Sequence, residues 1–145
     1  YKRLRAGQMA GFWANWGLDH RFTTVRVSPE RDASTRLEYR QPDGAANPYL
    51  MQAVILAAGL DGVRTQADPG KRWDIDMYTQ GHTVKGAPKL PLNMLDALRE
   101  YDKDKTLKAM MGEEFSAAYL KLKHKEWDSF VSHFSRWEHE NTLDI

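Results

Sequence analysis

Apolar and polar positions along the chain follow two different periods. Residues 21–27 (RFTTVRV) and 35–40 (TRLEYR) alternate in character and are rich in β-branched and aromatic side chains, so both read as strands. The stretch between them, Ser28-Pro29-Glu30-Arg31-Asp32-Ala33-Ser34, is a loop by composition. From Asn47-Pro48 the pattern becomes helical. Asn is a favoured N-cap, and Pro suits the first helical position. This helix is expected to run from about Pro48 to about Gln66, roughly 28 Å at 1.5 Å per residue. Leu50, Met51, Val54, Ile55, Leu56 and Leu60 make it apolar on nearly every side. Such a helix is expected to be buried and to form the spine of the domain. Ala57, Ala58 and Gly59 would let another backbone approach it closely. Residues 67–90 are Gly/Pro-rich and irregular. Three helices should follow: Leu92–Tyr101, Lys105–Met111 closed by Gly112, and a long Glu113–Glu138. On the long helix Phe115, Tyr119, Leu122, Phe130, Phe134 and Trp137 form one packing side. The expected fold class is α+β, with short antiparallel strands followed by a mostly helical C-terminal portion.

Composition narrows the function. The 145 residues allow one ordinary domain, and 41% apolar with 28% charged residues is a globular balance. No apolar run approaches the roughly 20 residues that span a bilayer, so no membrane partner is expected. The absence of cysteine excludes disulfides, Cys-based zinc sites and Cys nucleophiles, and it fits a cytoplasmic protein. The opening Tyr1-Lys2-Arg3-Leu4-Arg5 is neither a Met start nor a helix cap, and it reads as a chain cut from something longer.

Charge is uneven. Residues 1–40 carry eight Lys/Arg against four Asp/Glu, a balance of +4 that comes almost entirely from Arg. Residues 101–145 carry seven Lys/Arg against nine acids, with Lys dominant. Arg is the residue suited to bidentate carboxylate and phosphate contacts, so the front end looks built to hold an anion.

Within it, Arg36, Glu38 and Arg40 alternate along one strand and should project together, with Leu37 and Tyr39 on the opposite face. A carboxylate between two guanidiniums stays ionised. It could ligate a hard cation such as Mg²⁺ or Mn²⁺ while the arginines hold anions, the parts phosphoryl transfer needs. Periodicity alone favours a blander reading, a solvent-facing salt-bridge ladder of little energetic weight. Arg21 and Arg26 lie five residues apart on the neighbouring strand, so regular alternation would put them on opposite faces unless a bulge intervenes.

Other candidates are weaker. His20, His82, His124, His133 and His139 show no metal-ligand spacing. Gly70-Lys71 lacks the remainder of a phosphate-binding loop. The arginines sit in mixed-charge strands and form no Lys/Arg stripe, which argues against nucleic acid.

Several motifs in order carry a family resemblance. They are Tyr1-Lys2-Arg3, Asp19-His20-Arg21 with Val25-Arg26-Val27, and Arg36-Leu37-Glu38-Tyr39-Arg40. Next come Pro42-Asp43-Gly44-Ala45-Ala46-Asn47-Pro48-Tyr49-Leu50 and Ala57-Ala58-Gly59-Leu60-Asp61-Gly62. Together they resemble the C-terminal part of the glutamine synthetase catalytic domain, from end to end of the chain. Asp76-Met77-Tyr78-Thr79, Leu90-Pro91-Leu92-Asn93 and Asn141-Thr142-Leu143-Asp144 look most like the type III enzymes and the related gamma-glutamylmethylamide synthetases.

The resemblance implies that the strands belong to a larger catalytic sheet. It also implies a mechanism in which ATP phosphorylates the side-chain carboxylate of glutamate and ammonia then displaces phosphate. Carried over, Glu38 is a ligand of Mg²⁺ (or Mn²⁺), and Arg3 and Arg40 hold glutamate. Arg21 is shared between glutamate and the nucleotide phosphates, and Arg26 and Arg36 lie near phosphate. The family assembles as ring homo-oligomers with sites between subunits, and most metal ligands lie upstream of this stretch. The 145 residues alone are therefore expected to be inactive.

Two departures stand out. Where the family has Gly-Tyr-Glu-Ala-Pro, with a Glu that helps deprotonate ammonium, this chain has Gly7-Gln8-Met9-Ala10-Gly11. Met9 is not a base and would tolerate an alkylamine better than bare ammonium. That leaves two alternatives: a ligase using methylamine or another alkylamine, and a non-catalytic subunit for regulation or assembly. The loop Pro29–Ser34 is longer than usual and lacks the family's nucleotide-contacting Lys, with Arg31 the nearest substitute.

Overall fold

The computed structural model describes Leu4 and residues 11–142. The chain divides into two compact units, one up to Asn93 and one from Met94.

The first unit is α+β. Its sheet has three short strands in the order β1 (Trp16–Leu18), β2 (Val25–Val27) and β3 (Leu37–Tyr39). β2 and β3 pair antiparallel, as expected, with Arg26 directly opposite Glu38. β1 pairs parallel to β2, so the sheet is mixed and not wholly antiparallel. The expected strand 21–27 also begins late. Its β-branched residues Thr23 and Thr24 sit in the six-residue return from β1 to β2, where their hydroxyls bond backbone carbonyls. Thr23 Oγ1 donates to the carbonyls of His20 (2.8 Å) and Val25 (3.0 Å). Thr24 Oγ1 bonds the carbonyl of Trp13, and its N–H donates to Asn15 Oδ1 (3.1 Å). Asp19 begins the return at φ 46°, a left-handed conformation that Asp tolerates.

Segments 72–73 and 88–90 flank β1 and the residues before it. Trp73 N–H donates to Trp16 O (2.9 Å) and Leu90 N–H to Phe12 O (3.0 Å). Gly17 is required there, since a Cβ on it would lie 2.4 Å from the Trp73 carbonyl oxygen. Asp74 secures the end of the same strand. Its Oδ1 accepts the Leu18 N–H at 3.1 Å, and its Oδ2 pairs with Arg72 Nε at 2.5 Å. The Leu18 N–H above all, helped by Arg72, holds the Asp74 carboxyl below the ordinary aspartate value of 3.8. A lowered folded-state pKa adds stability that is present above the unfolded value and lost as pH falls through the folded one. The urea midpoint of Asp74→Asn should therefore lie below that of the parent at neutral pH. The gap should close as pH drops below 3.8. A gap independent of pH would assign the effect to packing alone.

Helix α1 (Pro48–Thr65) begins and ends as its sequence signals. Asn47 Oδ1 accepts from the N–H of Tyr49 (3.0 Å) and Leu50 (3.1 Å). Gln66 turns left-handed at φ 52°, and Ala67 N–H returns to Gly62 O at 2.9 Å. Its environment differs from expectation. None of its residues is buried, and nothing lies within 4 Å of a Cβ placed on Gly59. Residues 67–93 are mostly irregular, with one α-helical turn, α2 (Met77–Gln80), followed by a 3-10 turn at Gly81–Thr83.

The second unit is helical: α3 (Met94–Lys103), α4 (Lys105–Met111), α5 (Glu113–Val131) and α6 (Arg136–Thr142). Asp104 caps α4 by accepting the Leu107 N–H (2.9 Å), and Gly112 at φ 96° separates α4 from α5. Buried Leu98 and the Tyr101 hydroxyl, 2.8 Å from buried Ser116 Oγ, join α3 to α5. Tyr119 stacks on Phe115 and meets Tyr101 edge-on. The expected Glu113–Glu138 helix is two helices. Ser135 opens α6 with a reciprocal box: Glu138 Oε2 accepts the Ser135 N–H (2.7 Å), and Ser135 Oγ accepts the Glu138 N–H (3.2 Å). Only the front of the aromatic side packs as expected; Leu122, Phe130, Phe134 and Trp137 are exposed.

Candidate functional site

The cross-strand pair of β2 and β3 builds the site. Because Arg26 and Glu38 are opposite one another, their side chains leave the same face. Arg26 Nη1 donates to both Glu38 carboxylate oxygens, at 2.9 and 2.8 Å. The rest of its guanidinium turns the other way, where Nε donates to Asp19 Oδ1 (3.1 Å) and Nη2 bonds the same oxygen. The Arg26 side chain is only 14% exposed. Arg36 Nε stands 3.5 Å from Glu38 Oε1, completing a carboxylate surrounded by cations. Arg26, with Arg36 and Arg40 assisting through charge, holds the Glu38 carboxyl below the ordinary glutamate range. Asp19 and Glu38 raise the Arg26 guanidinium in turn. The strand alternation thus brings Glu38 and Arg36 together as expected. It does not extend to Arg21, which lies in the β1–β2 turn and not on a strand.

The remaining residues divide by exposure. Arg21 and Arg36 are exposed; Arg40 is half-buried, and its N–H joins the sheet through the Thr24 carbonyl (2.9 Å). Arg36 Nη1 also reaches Glu30 Oε2 at 3.3 Å. The loop folds on itself: Arg31 Nη1 donates to the carbonyls of Ser28 (2.6 Å) and Glu30 (3.0 Å). Arg31 is thus occupied locally, which does not suit it to replace the missing Lys. Arg3 and Met9 lie outside the described residues. Asp19 is the member of the site that sequence reasoning missed. Its position beside His20-Arg21 was visible, but the turn that swings it onto Arg26 was not.

A hard cation fits Glu38 as one ligand among several. Arg26 Nη1 takes one lone pair of each Glu38 oxygen, each oxygen has two, and Oε1 also faces Arg36 Nε at 3.5 Å. Among the described residues, no group of three or more His, Asp or Glu side chains is placed to hold a metal ion. No helix among them is long and apolar enough to cross a membrane.

Comparison with known proteins shows the family. Residues 1–142 match the model of the glutamine synthetase catalytic domain. The chain belongs to that family. It is 54% identical over 151 residues to a glutamine synthetase of Rhizobium leguminosarum bv. phaseoli, covering all of this chain and 34% of the relative. Among solved structures it superposes on apo GmaS without ligand with a TM-score of 0.83 at 50% identity, over 92% of this chain and 30% of that one. The GmaS/ADP complex gives the same TM-score at 50% identity, over 93% of this chain and 30% of that one. The chain therefore spans about a third of the length of the relatives it matches.

Proposed function

We propose that these residues are the C-terminal portion of the catalytic domain of an ATP-dependent glutamate–ammonia ligase. The observation that carries this reading is the Glu38 carboxylate, fixed by Arg26 and ringed by arginines within an end-to-end family match. In the reaction, a γ-carboxylate oxygen of glutamate attacks the γ-phosphorus of ATP and ADP leaves. The amine nitrogen then attacks the acyl carbon, phosphate departs and the nitrogen loses a proton. A divalent cation at Glu38, completed by ligands outside the described residues, would neutralise charge on the transferring phosphoryl group. Arg21, Arg26 and Arg36 are assigned to phosphate, with Arg21 also meeting glutamate, and Arg40 with Arg3 to the glutamate carboxylates. The ADP complex of GmaS supports nucleotide use. Assembly into a ring of identical subunits, and inactivity of the 145 residues alone, belong to the same proposal.

A second reading exchanges ammonia for an alkylamine. It is supported by the likeness to GmaS, a gamma-glutamylmethylamide synthetase, and by Met9 at the family's usual Glu position. The test is glutamate-dependent phosphate release by a polypeptide of the relatives' full length, supplied with ATP and Mg²⁺ and either ammonia or methylamine. Release with an amine is the expected result. A strong preference for ammonia removes the alkylamine reading, and no release with either amine overturns the ligase reading.

A further inference from the structure

We infer that buried Thr24 is a positioning residue for glutamate binding, which locks Arg40 and the turn carrying Arg21 to one fixed segment, residues 11–15. The inference rests on the assignment of Arg21 and Arg40 to glutamate. Three observations carry it. First, Thr24 ties two stretches of chain together with all of its polar groups. Its N–H donates to Asn15 Oδ1 (3.1 Å), and its carbonyl accepts the Arg40 N–H (2.9 Å). Its hydroxyl bonds the Trp13 carbonyl and accepts from Gln41 Nε2 (3.1 Å). The ladder proper ends with Val25 opposite Tyr39, so Thr24 carries the pairing one step further, to Arg40. Second, Thr23 beside it closes the turn. Its Oγ1 donates to the carbonyls of His20 and Val25, which bracket Arg21 in sequence. Third, the packing leaves no slack. Gly11 is buried at φ 84°, and a Cβ on it would stand 3.1 Å from Phe22 O and 3.6 Å from Gln41 Nε2. Phe22 and Gln41 are the residues immediately after Arg21 and Arg40.

The consequence is one of geometry. Arg21 lies in a turn and Arg40 follows the end of β3, so nothing in the local sequence fixes their separation. Two guanidiniums that hold one small dicarboxylate need a set spacing, and their long side chains do not supply it. The backbones must, and Thr24 is where those backbones meet. Thr24 is 5% exposed, so it acts through the arginines and does not meet substrate itself. A valine would fill the same space but could hold neither the Trp13 carbonyl nor the Gln41 amide. The loss should therefore fall on glutamate and spare the nucleotide.

The test uses a polypeptide of the relatives' full length and glutamate-dependent phosphate release, with the amine held saturating. Thr24→Val should raise the KM for glutamate about tenfold. The KM for ATP should stay within about twofold and kcat within about threefold. Thr24→Ser restores the hydroxyl and should return the glutamate KM to within about twofold of the parent. A merely structural role predicts a different pattern: part of the sample unfolds, kcat falls and both KM values stay. That pattern, or an ATP KM that rises as much as the glutamate KM, would overturn the positioning role. Gln41→Met removes one of the same hydrogen bonds at a half-buried side chain. It should shift the glutamate KM the same way by a smaller factor, and it serves if Thr24→Val fails to fold. Arg40→Lys separates the two layers. If it leaves the glutamate KM unchanged, the assignment of Arg40 falls and takes this inference with it. If it raises a glutamate KM that the Thr24 and Gln41 variants leave alone, only this inference falls.

Discussion

Glu38→Gln, in a polypeptide of the relatives' full length, is expected to lower the rate of glutamate-dependent phosphate release at saturating substrates by a factor of about 10²–10³. The substitution keeps the size and shape of the side chain and removes its charge. A neutral amide oxygen is a poorer ligand for a hard cation than a carboxylate. It also presents an N–H₂ group toward Arg26 Nη1, so one of two hydrogen bonds becomes a donor–donor contact. Folding should be little affected, because Arg26 keeps its bonds to Asp19 and the backbone pairing of Val25–Val27 with Leu37–Tyr39 is untouched. Catalysis and stability should therefore separate. The thermal midpoint stays near that of the parent while turnover collapses. Turnover within a few-fold of the parent would remove Glu38 from the reacting centre and return the strand to a surface salt-bridge ladder.

That alternative is the one periodicity favoured, and the reason is instructive. Alternation placed Arg36 and Glu38 on one face, and the structure agrees. Alternation could not find the residue that matters most to Glu38, because Arg26 reaches it across strands and through register, which no local pattern encodes. Asp19 was further from view, since it depends on a left-handed turn at a non-glycine residue. Signals that act within one turn of chain were legible. Asn47-Pro48 marked the start of α1, and Gly112 the end of α4. Ser135-Arg136-Trp137-Glu138 carried a legible capping box, yet the continuing aromatic spacing masked it and joined α5 to α6. The parallel pairing of β1 and β2 was hidden because six residues are an unusually short return for parallel neighbours.

The environment of α1 is where local pattern and structure part most. An all-round apolar helix is expected to be buried, yet Leu56, Leu60 and Val63 are 64%, 63% and 77% exposed. These residues lie along one side of the helix at spacings of four and three, so they form a stripe and are not scattered. The chain spans about a third of the relatives it matches, and the stripe is assigned to contact with the other two thirds. The double substitution Leu56→Asp and Leu60→Asp tests that assignment by giving opposite results in two contexts. In a polypeptide of the relatives' length, two buried leucines are lost and two carboxylates are driven into an apolar contact, at a cost of about 3 kcal/mol or more. Urea denaturation should show it, together with loss of soluble protein. In the 145 residues alone, the same changes fall on a solvent-facing stripe. Stability there should move by no more than about 0.5 kcal/mol, and self-association measured by sedimentation should decrease. Equal, small effects in both contexts would show that the stripe faces solvent in the longer protein too. The apolar character of α1 would then need another explanation, because a stripe of that kind is kept from water only by a contact that covers it.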